Sequence, residues 1–299
     1  MVSPPLRWYG GKYYLSGKIA AVIARVPHQT YVEVYGGAAS VLLNKAPSPI
    51  DVWNDIDARL VNFFRVLRLP ESRERLLESL AFTPFARAEF AACCQDEPED
   101  GDPVEAARRF FVLCQQSVSS SGAKEHMTPG SWAKSVGVSR RGMSQNASRW
   151  WGNIENLPDI ADRFARVQVE CMCAMKLLSQ YDRPETLFYL DPPYVAKSRV
   201  AGQRRVYKHE MTDEQHIEMI GRVGALKGPA ILSGYDNEVY SGRMGGWGRI
   251  EIPSKARSST AGSTRGRSAP PPDRTEILWL NPRAMELVRA GKASPITSP

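Results

Sequence analysis

The 299-residue sequence has no apolar run long enough to cross a bilayer. Its longest apolar-looking stretch, Ile19–Val26, is short and carries Arg25, whereas a spanning helix needs about 20 apolar residues. The opening Met1-Val-Ser-Pro-Pro-Leu-Arg-Trp8 lacks the apolar centre of a secretory leader, so a cytoplasmic protein is expected. The five cysteines (Cys93, Cys94, Cys114, Cys171 and Cys173) are odd in number and show no C-x-x-C spacing. That excludes a disulfide framework and points to reduced thiols. The four histidines, His28, His126, His209 and His216, are scattered and offer no zinc-ligand spacing, so no metal is expected. Internal repeats and a G-x-G-x-x-G fingerprint are also missing. Hydrophobic residues, at 42%, are plentiful enough for a sizeable core and exclude global disorder. The length fits one large domain or two unequal ones.

The net charge is +7, and its placement says more than its size. Residues 120–151 hold Lys124, Lys134, Arg140, Arg141 and Arg149 against Glu125. Residues 195–210 hold Lys197, Arg199, Arg204, Arg205 and Lys208 against Glu210. Residues 255–274 hold Lys255, Arg257, Arg265, Arg267 and Arg274 against Asp273. Each segment carries +4, which leaves −5 for the rest of the chain. A mildly acidic body with three basic loops is the footprint of a scaffold that presents arms to a polyanion, although solvated loops have the same composition.

Secondary structure alternates at the front of the chain. Ile19, Val22, Ile23 and Val26 have helical spacing, closed by Pro27. Thr30–Tyr35 predicts a strand, Gly36-Gly37 a turn, Ala38–Lys45 a helix and Ile50–Trp53 a second strand. Leu60, Phe63, Phe64 and Leu67 then repeat the helical period. This succession implies a parallel sheet. Residues 71–166 lack strong strands and predict an inserted, mainly helical domain, flanked by a domain made of residues 1–70 and 167–299. The α/β pattern resumes at Thr186–Leu190. A capping box at Thr212–Gln215 opens a helix with Ile217 and Ile220 inward, and strands follow at Ala230–Ser233 and Thr275–Leu280.

Four motifs carry chemistry. Asp191-Pro192-Pro193-Tyr194 directly follows an apolar strand, where ligands bind in open α/β sheets. It combines a carboxylate, rigid carbonyl acceptors and an aromatic face. That set suits a planar ring with an exocyclic amino group, held so that its nitrogen lone pair faces an electrophile. Glu33-Val-Tyr-Gly-Gly-Ala-Ala-Ser40 places glycines after the first strand, where a nucleoside-bearing cofactor approaches the backbone. A tight strand-to-helix turn fits these residues equally. Asn54-Asp55 puts a carboxylate at the end of the second strand, suited to ribose hydroxyls or to capping the next helix. Arg7-Trp8-Tyr-Gly-Gly-Lys12 can set a ring and a cation against a small ligand, or form a surface turn with a core Trp.

In this order the motifs resemble the Dam-like DNA adenine-N6 methyltransferases. The resemblance rests on Arg7–Lys12, Tyr31–Gly37, Asn54–Asp57, Leu187–Tyr194, Ile231–Tyr235 and Thr275–Trp279. It implies a Rossmann-like α/β sheet with helices on both faces, an inserted helical target-recognition domain, and S-adenosylmethionine as cofactor. By the same resemblance, Trp8, Lys12, Glu33, Tyr35, Gly36 and Asp55 contact the cofactor. Asp191, Pro192, Pro193 and Tyr194 hold the target adenine, with Asp191 also near the cofactor. The chain departs from the family pattern at Val34, Tyr35, Ala38 and Cys173.

The implied reaction is direct methyl transfer to N6 of an adenine flipped from duplex DNA, at a specific or relaxed-specificity site. The basic residues of 120–151 and 195–210 would grip phosphates, and Trp132, Trp150, Trp151 or Met143 would fill the vacated space. Cytosine-C5 chemistry is disfavoured because no cysteine follows a proline. Two alternatives stay open: an RNA adenine-N6 methyltransferase, and a catalytically silent nucleic-acid-binding protein on the same scaffold. The central region resembles phage- and prophage-borne relatives, which implies the cytoplasm of a bacterial or phage-infected cell. No nuclease motif is visible, so any restriction endonuclease partner is a separate chain.

Overall fold

The structure, a computed structural model, describes residues 1–95, 101–118, 127–194, 209–254 and 274–293. The chain runs α1 (Ser16–Ile23), β1 (Thr30–Glu33), β2 (Ile50–Asn54) and α2 (Ala58–Arg68). A helical stretch follows: α3 (Pro70–Ala81), α4 (Arg87–Cys93) and α5 (Pro103–Gln116), a small hairpin of β3 (Ser139–Arg140) and β4 (Met143–Ser144), then α6 (Gln145–Glu155) and α7 (Leu157–Phe164). Strands and helices then alternate through β5 (Val167–Glu170), α8 (Ala174–Tyr181), β6 (Thr186–Leu190), α9 (Asp213–Gly224), β7 (Ala230–Gly234) and α10 (Glu238–Ser241). The last elements are β8 (Gly248–Ser254), β9 (Arg274–Leu280) and α11 (Pro282–Ala293).

Seven strands form one sheet in the order β5-β2-β1-β6-β7-β9-β8. The first five are parallel, and β9 runs antiparallel to both β7 and β8. From β1 the chain steps outward through β2 to β5, then returns to place β6 on the other side of β1. The sheet is therefore a doubly wound, Rossmann-like one, and its switch of direction lies between β1 and β6. Ligands bind in the crevice that opens at such a point.

Alternation along the strands explains the layers. On β6, Leu187 and Tyr189 pack into the layer of α2, α5 and α7, while Phe188 and Leu190 pack into the layer of α8 and α9. All four are essentially buried, and each contributes about 1.5–3 kcal/mol of apolar burial. The helical stretch between β2 and β5 continues the first layer. Phe64 stacks on Phe164 at 4.2 Å, Phe63 on Phe111 at 5.8 Å, and Phe111 in turn meets Trp150 at 5.2 Å.

Several local expectations change. Ala38–Lys45 is not a regular helix but a buried run of turns, because Gly37 and Ala39 both take left-handed backbone angles (φ 49° and 58°). On α9 the inward residues are His216, Met219, Ile220 and Val223, whereas Ile217 is exposed. The capping box at Thr212 and Gln215 is present as expected. Strands β5 and β8 were not anticipated. Among the described residues, no helix is long and apolar enough to cross a membrane.

Candidate active site

The glycine turn after β1 is shaped by β2. A Cβ at Gly36 would lie 2.0 Å from Nε1 of the buried Trp53, so only glycine fits there. Gly36 N–H donates to the Asn54 carbonyl (2.8 Å), and Gly37 N–H donates to Asp55 Oδ2 (2.9 Å). The Asn54 amide joins three strand ends: its Nδ2 donates to the carbonyls of Val34 (2.9 Å) and Met172 (3.1 Å), and its Oδ1 accepts from Met172 N–H. Asp55 also accepts from Asp57 N–H. The cap of α2 is Asp57, which accepts from Arg59 N–H, so capping is not the role of Asp55.

Two carboxyls in this half of the site are held by burial in unusual states. Burial pushes Asp55 up to about 6, against the pull of the backbone N–H groups of Asp57 and Gly37. It pushes Glu33 up to about 8, although Tyr31 donates its hydroxyl to Glu33 Oε2 at 2.8 Å. The Tyr35 hydroxyl reaches the sulfur of Met219 at 3.4 Å.

The other half sits at the end of β6. Lys12 Nζ donates to Asp191 Oδ1 at 2.7 Å and to the Tyr194 hydroxyl, lies 3.5 Å from Glu276 Oε1, and stands 4.7 Å from the centre of the Tyr194 ring. Tyr194 donates to Glu276 Oε2 at 3.1 Å, and Ser233 donates to Oε1 at 2.6 Å. The Tyr235 ring lies 4.6 Å from that of Tyr194. Burial disfavours the Lys12 ammonium, but Asp191 and Glu276 outweigh it and hold the amine charged, well above its ordinary range. Burial raises the Asp191 carboxyl, although Lys12 pulls it down. The Asp191 side chain remains 17% exposed, so its carboxylate is reachable from the cleft.

Both halves open into one cleft of about 540 Å³, within the ~300–1,000 Å³ usual for small-molecule sites. It is bordered by Trp8, Lys12, Glu33, Tyr35, Gly36, Asp55 and Asp191, the full set expected at the cofactor, and by Pro193. Pro192 is buried beside it, and Tyr194 joins through Lys12. The family model of the D12 class N6 adenine-specific DNA methyltransferases matches residues 8–223, from Trp8 through the Asp191 box. The chain belongs to that family. It is an adenine-specific DNA methyltransferase, and its substrate is DNA. No curated protein matches the sequence.

In this D12-class enzyme, Ser233, Tyr235 and Glu276 build the site without a role read from the sequence, and Asn54, read only as the partner of Asp55, ties three strand ends together. For Glu276 a signal existed: a charged residue directly before the apolar Ile277–Leu280 run, on the same strand face as Leu278 and Leu280, is unusual unless paired. Among the expected DNA-contacting residues, Lys134, Arg140, Arg141 and Arg149 are exposed. Arg140, Arg141 and Arg149 border one shallow polar cleft with Asn153 and Asn156. Arg141 and Gly142 form a two-residue turn with φ 54° and 73°, the backbone that joins tight hairpins. Lys124, Lys197, Arg199, Arg204, Arg205 and Lys208 lie outside the described residues, as does the basic segment 255–273. The Trp expectations divide. Trp150 is a core residue at 1% exposure, and Trp132 packs against Phe85 and under Arg87, while Trp151 and Met143 are exposed.

Proposed function

We propose that the enzyme transfers a methyl group from S-adenosylmethionine to N6 of an adenine flipped out of duplex DNA. The observation that carries this reading is the junction of the Gly36-Gly37 turn and the Asp191 carboxylate in one cleft at the sheet's switch point.

The cleft suits the cofactor's chemistry. It offers the Glu33 and Asp55 carboxyls to a cationic, hydroxyl-rich molecule, aromatic faces at Trp8 and Tyr35, and a buried Ser40 hydroxyl that lacks a hydrogen-bond partner. Asp55 would hold ribose hydroxyls, with Glu33, Tyr35 and Gly36 at the amino-acid end. When bound, S-adenosylmethionine supplies an electrophilic methyl group on a positively charged sulfur.

The chain's residues then act on the base. The Asp191 carboxylate and Pro192 carbonyl accept the two amino hydrogens and leave the nitrogen lone pair free, Pro193 keeps the backbone rigid, and Tyr194 stacks on the ring. Asp191 is the nearest carboxylate to take the proton that the amino group sheds. Residues 71–166 serve as the target-recognition domain, and residues 1–70 and 167–299 as the catalytic domain. Lys134, Arg140, Arg141 and Arg149 grip phosphates, and Trp151 or Met143 fills the vacated space.

The test is nucleoside mass spectrometry after incubation with labelled S-adenosylmethionine and either duplex DNA or structured RNA. Label in deoxyadenosine as the N6-methyl product is expected. Label only in RNA, label only in cytosine, or binding of DNA without turnover would overturn the reading.

A further inference from the structure

Glu276 stands on β9, beyond the residues matched to the family. It is 1% exposed, and its neighbours on the same strand face, Leu278 and Leu280, are apolar. A buried carboxylate persists only where it is paired and hydrogen-bonded. The partners here belong to the reaction site itself: Tyr194 donates to Oε2 at 3.1 Å, and Lys12 lies 3.5 Å from Oε1. Ser233, donating at 2.6 Å, fixes that carboxylate in place.

Lys12 occupies one of the two Asp191 oxygens that could accept from an adenine amino group. It hydrogen-bonds Asp191 Oδ1 at 2.7 Å and stands over the Tyr194 ring at 4.7 Å. A charged donor outcompetes a neutral amino group for a carboxylate, because charge-assisted hydrogen bonds are roughly twice as strong. A base that settles on Asp191 competes with the ammonium at that oxygen, and a second partner within a small side-chain movement lets Lys12 yield it. Glu276, less than an ångström beyond hydrogen-bonding reach, is that partner.

We propose that Glu276 is a positioning residue for methyl transfer: it receives the Lys12 ammonium when the target base settles on Asp191, and it holds the Tyr194 hydroxyl that aims the stacking ring. This rests on the reading of Asp191 and Tyr194 as the adenine-holding pair. The Lys12 amine stays charged throughout and only exchanges carboxylate partners.

The experiment compares single-turnover methylation, DNA affinity, S-adenosylhomocysteine affinity and thermal melting for the wild type, Glu276→Gln, Lys12→Met and the double variant. Glutamine keeps an acceptor for Tyr194, removes the charge, and turns the oxygen that faces Ser233 and Lys12 into an amide NH2 donor. Glu276→Gln is expected to keep cofactor and DNA affinity within about twofold, since phosphates dominate DNA binding, and to slow turnover by about 10–100-fold. In the Lys12→Met background the same change should add less than twofold, because it acts through Lys12. If Glu276→Gln alone does not melt cooperatively, the double variant against Lys12→Met still decides. Wild-type turnover in Glu276→Gln, full additivity in the double variant, or a matching loss of cofactor affinity would overturn the proposal. A parallel Asp191→Asn separates the two readings. Its inactivity beside a fully active Glu276→Gln would sink only the Glu276 assignment, whereas its full activity would sink the adenine-pocket reading itself.

Discussion

Replacing Gly36 with alanine would place a Cβ 2.0 Å from Trp53 Nε1 and 2.4 Å from Cε2. Ordinary contact needs about 3.5 Å, so one side must move by roughly 1.5 Å. Trp53 is poorly able to yield: it is fully buried, with Phe64 at 4.8 Å and Phe164 at 5.9 Å against its ring. The turn must shift instead, which breaks the Gly36–Asn54 and Gly37–Asp55 hydrogen bonds. Overpacking costs about 1–3 kcal/mol and each lost hydrogen bond about 1 kcal/mol, so Gly36→Ala should destabilise by roughly 3–5 kcal/mol. A protein of ordinary stability survives that loss. Urea unfolding should show the lower midpoint, and calorimetry with S-adenosylhomocysteine should show affinity weakened at least about tenfold. Gly221→Ala is the matched control, since its Cβ meets nothing within 4 Å on the exposed face of α9. It should stabilise by about 0.5–1 kcal/mol and leave affinity unchanged. A Gly36→Ala protein with wild-type midpoint and affinity would refute the claim that Trp53 sets the turn.

Two further outcomes follow from charge. Glu33 ionises at about 8 when folded, against an ordinary 4.5. The stability it confers is complete below 4.5 and is lost as pH rises through about 8, at up to ~1.4 kcal/mol per pH unit. Wild type should therefore lose more stability than Glu33→Gln between pH 6 and 8.5 in urea titrations, and parallel pH curves would refute the burial argument. Charge reversal at Arg140 and Arg141 should weaken DNA binding, lower the slope of log affinity against log salt by about two, and spare cofactor affinity. An unchanged slope would assign both arginines away from phosphates.

The parts legible from residues alone were those whose local chemistry and tertiary role agree. Thr186–Leu190 is buried on both faces, so its apolar run and its strand coincide. The Thr212 box shows itself because capping is local. Ala38–Lys45 misled because alanine, valine and leucine favour helix, while the left-handed backbone at Ala39 follows from packing the turn beneath Trp8 and over Trp53. Val167–Glu170 is an edge strand with mixed burial, and Gly248–Ser254 carries Pro253, so neither has a clear period. Of the cleft-lining residues, Gly36, Asp55 and Asp191 stood out because each closely follows a strand, whereas Trp8 and Lys12 come from the segment before the first helix. Ser233 and Glu276 gave no such signal, because Glu276 is brought to Lys12 and Tyr194, and Ser233 to Glu276, only in the folded sheet where β9 pairs antiparallel with β7.

The role proposed for the Asp191 carboxylate is to hold the target amino group. Methyl incorporation into duplex DNA by Asp191→Asn, with S-adenosylhomocysteine affinity measured on the same preparation, tests it most directly. Loss of an electrostatic anchor of this kind slows turnover by about 10²–10³-fold or more, and the fold should survive because the side chain is not fully buried. Turnover at that reduced level with cofactor affinity retained is the predicted result. Wild-type incorporation by Asp191→Asn would contradict the claim.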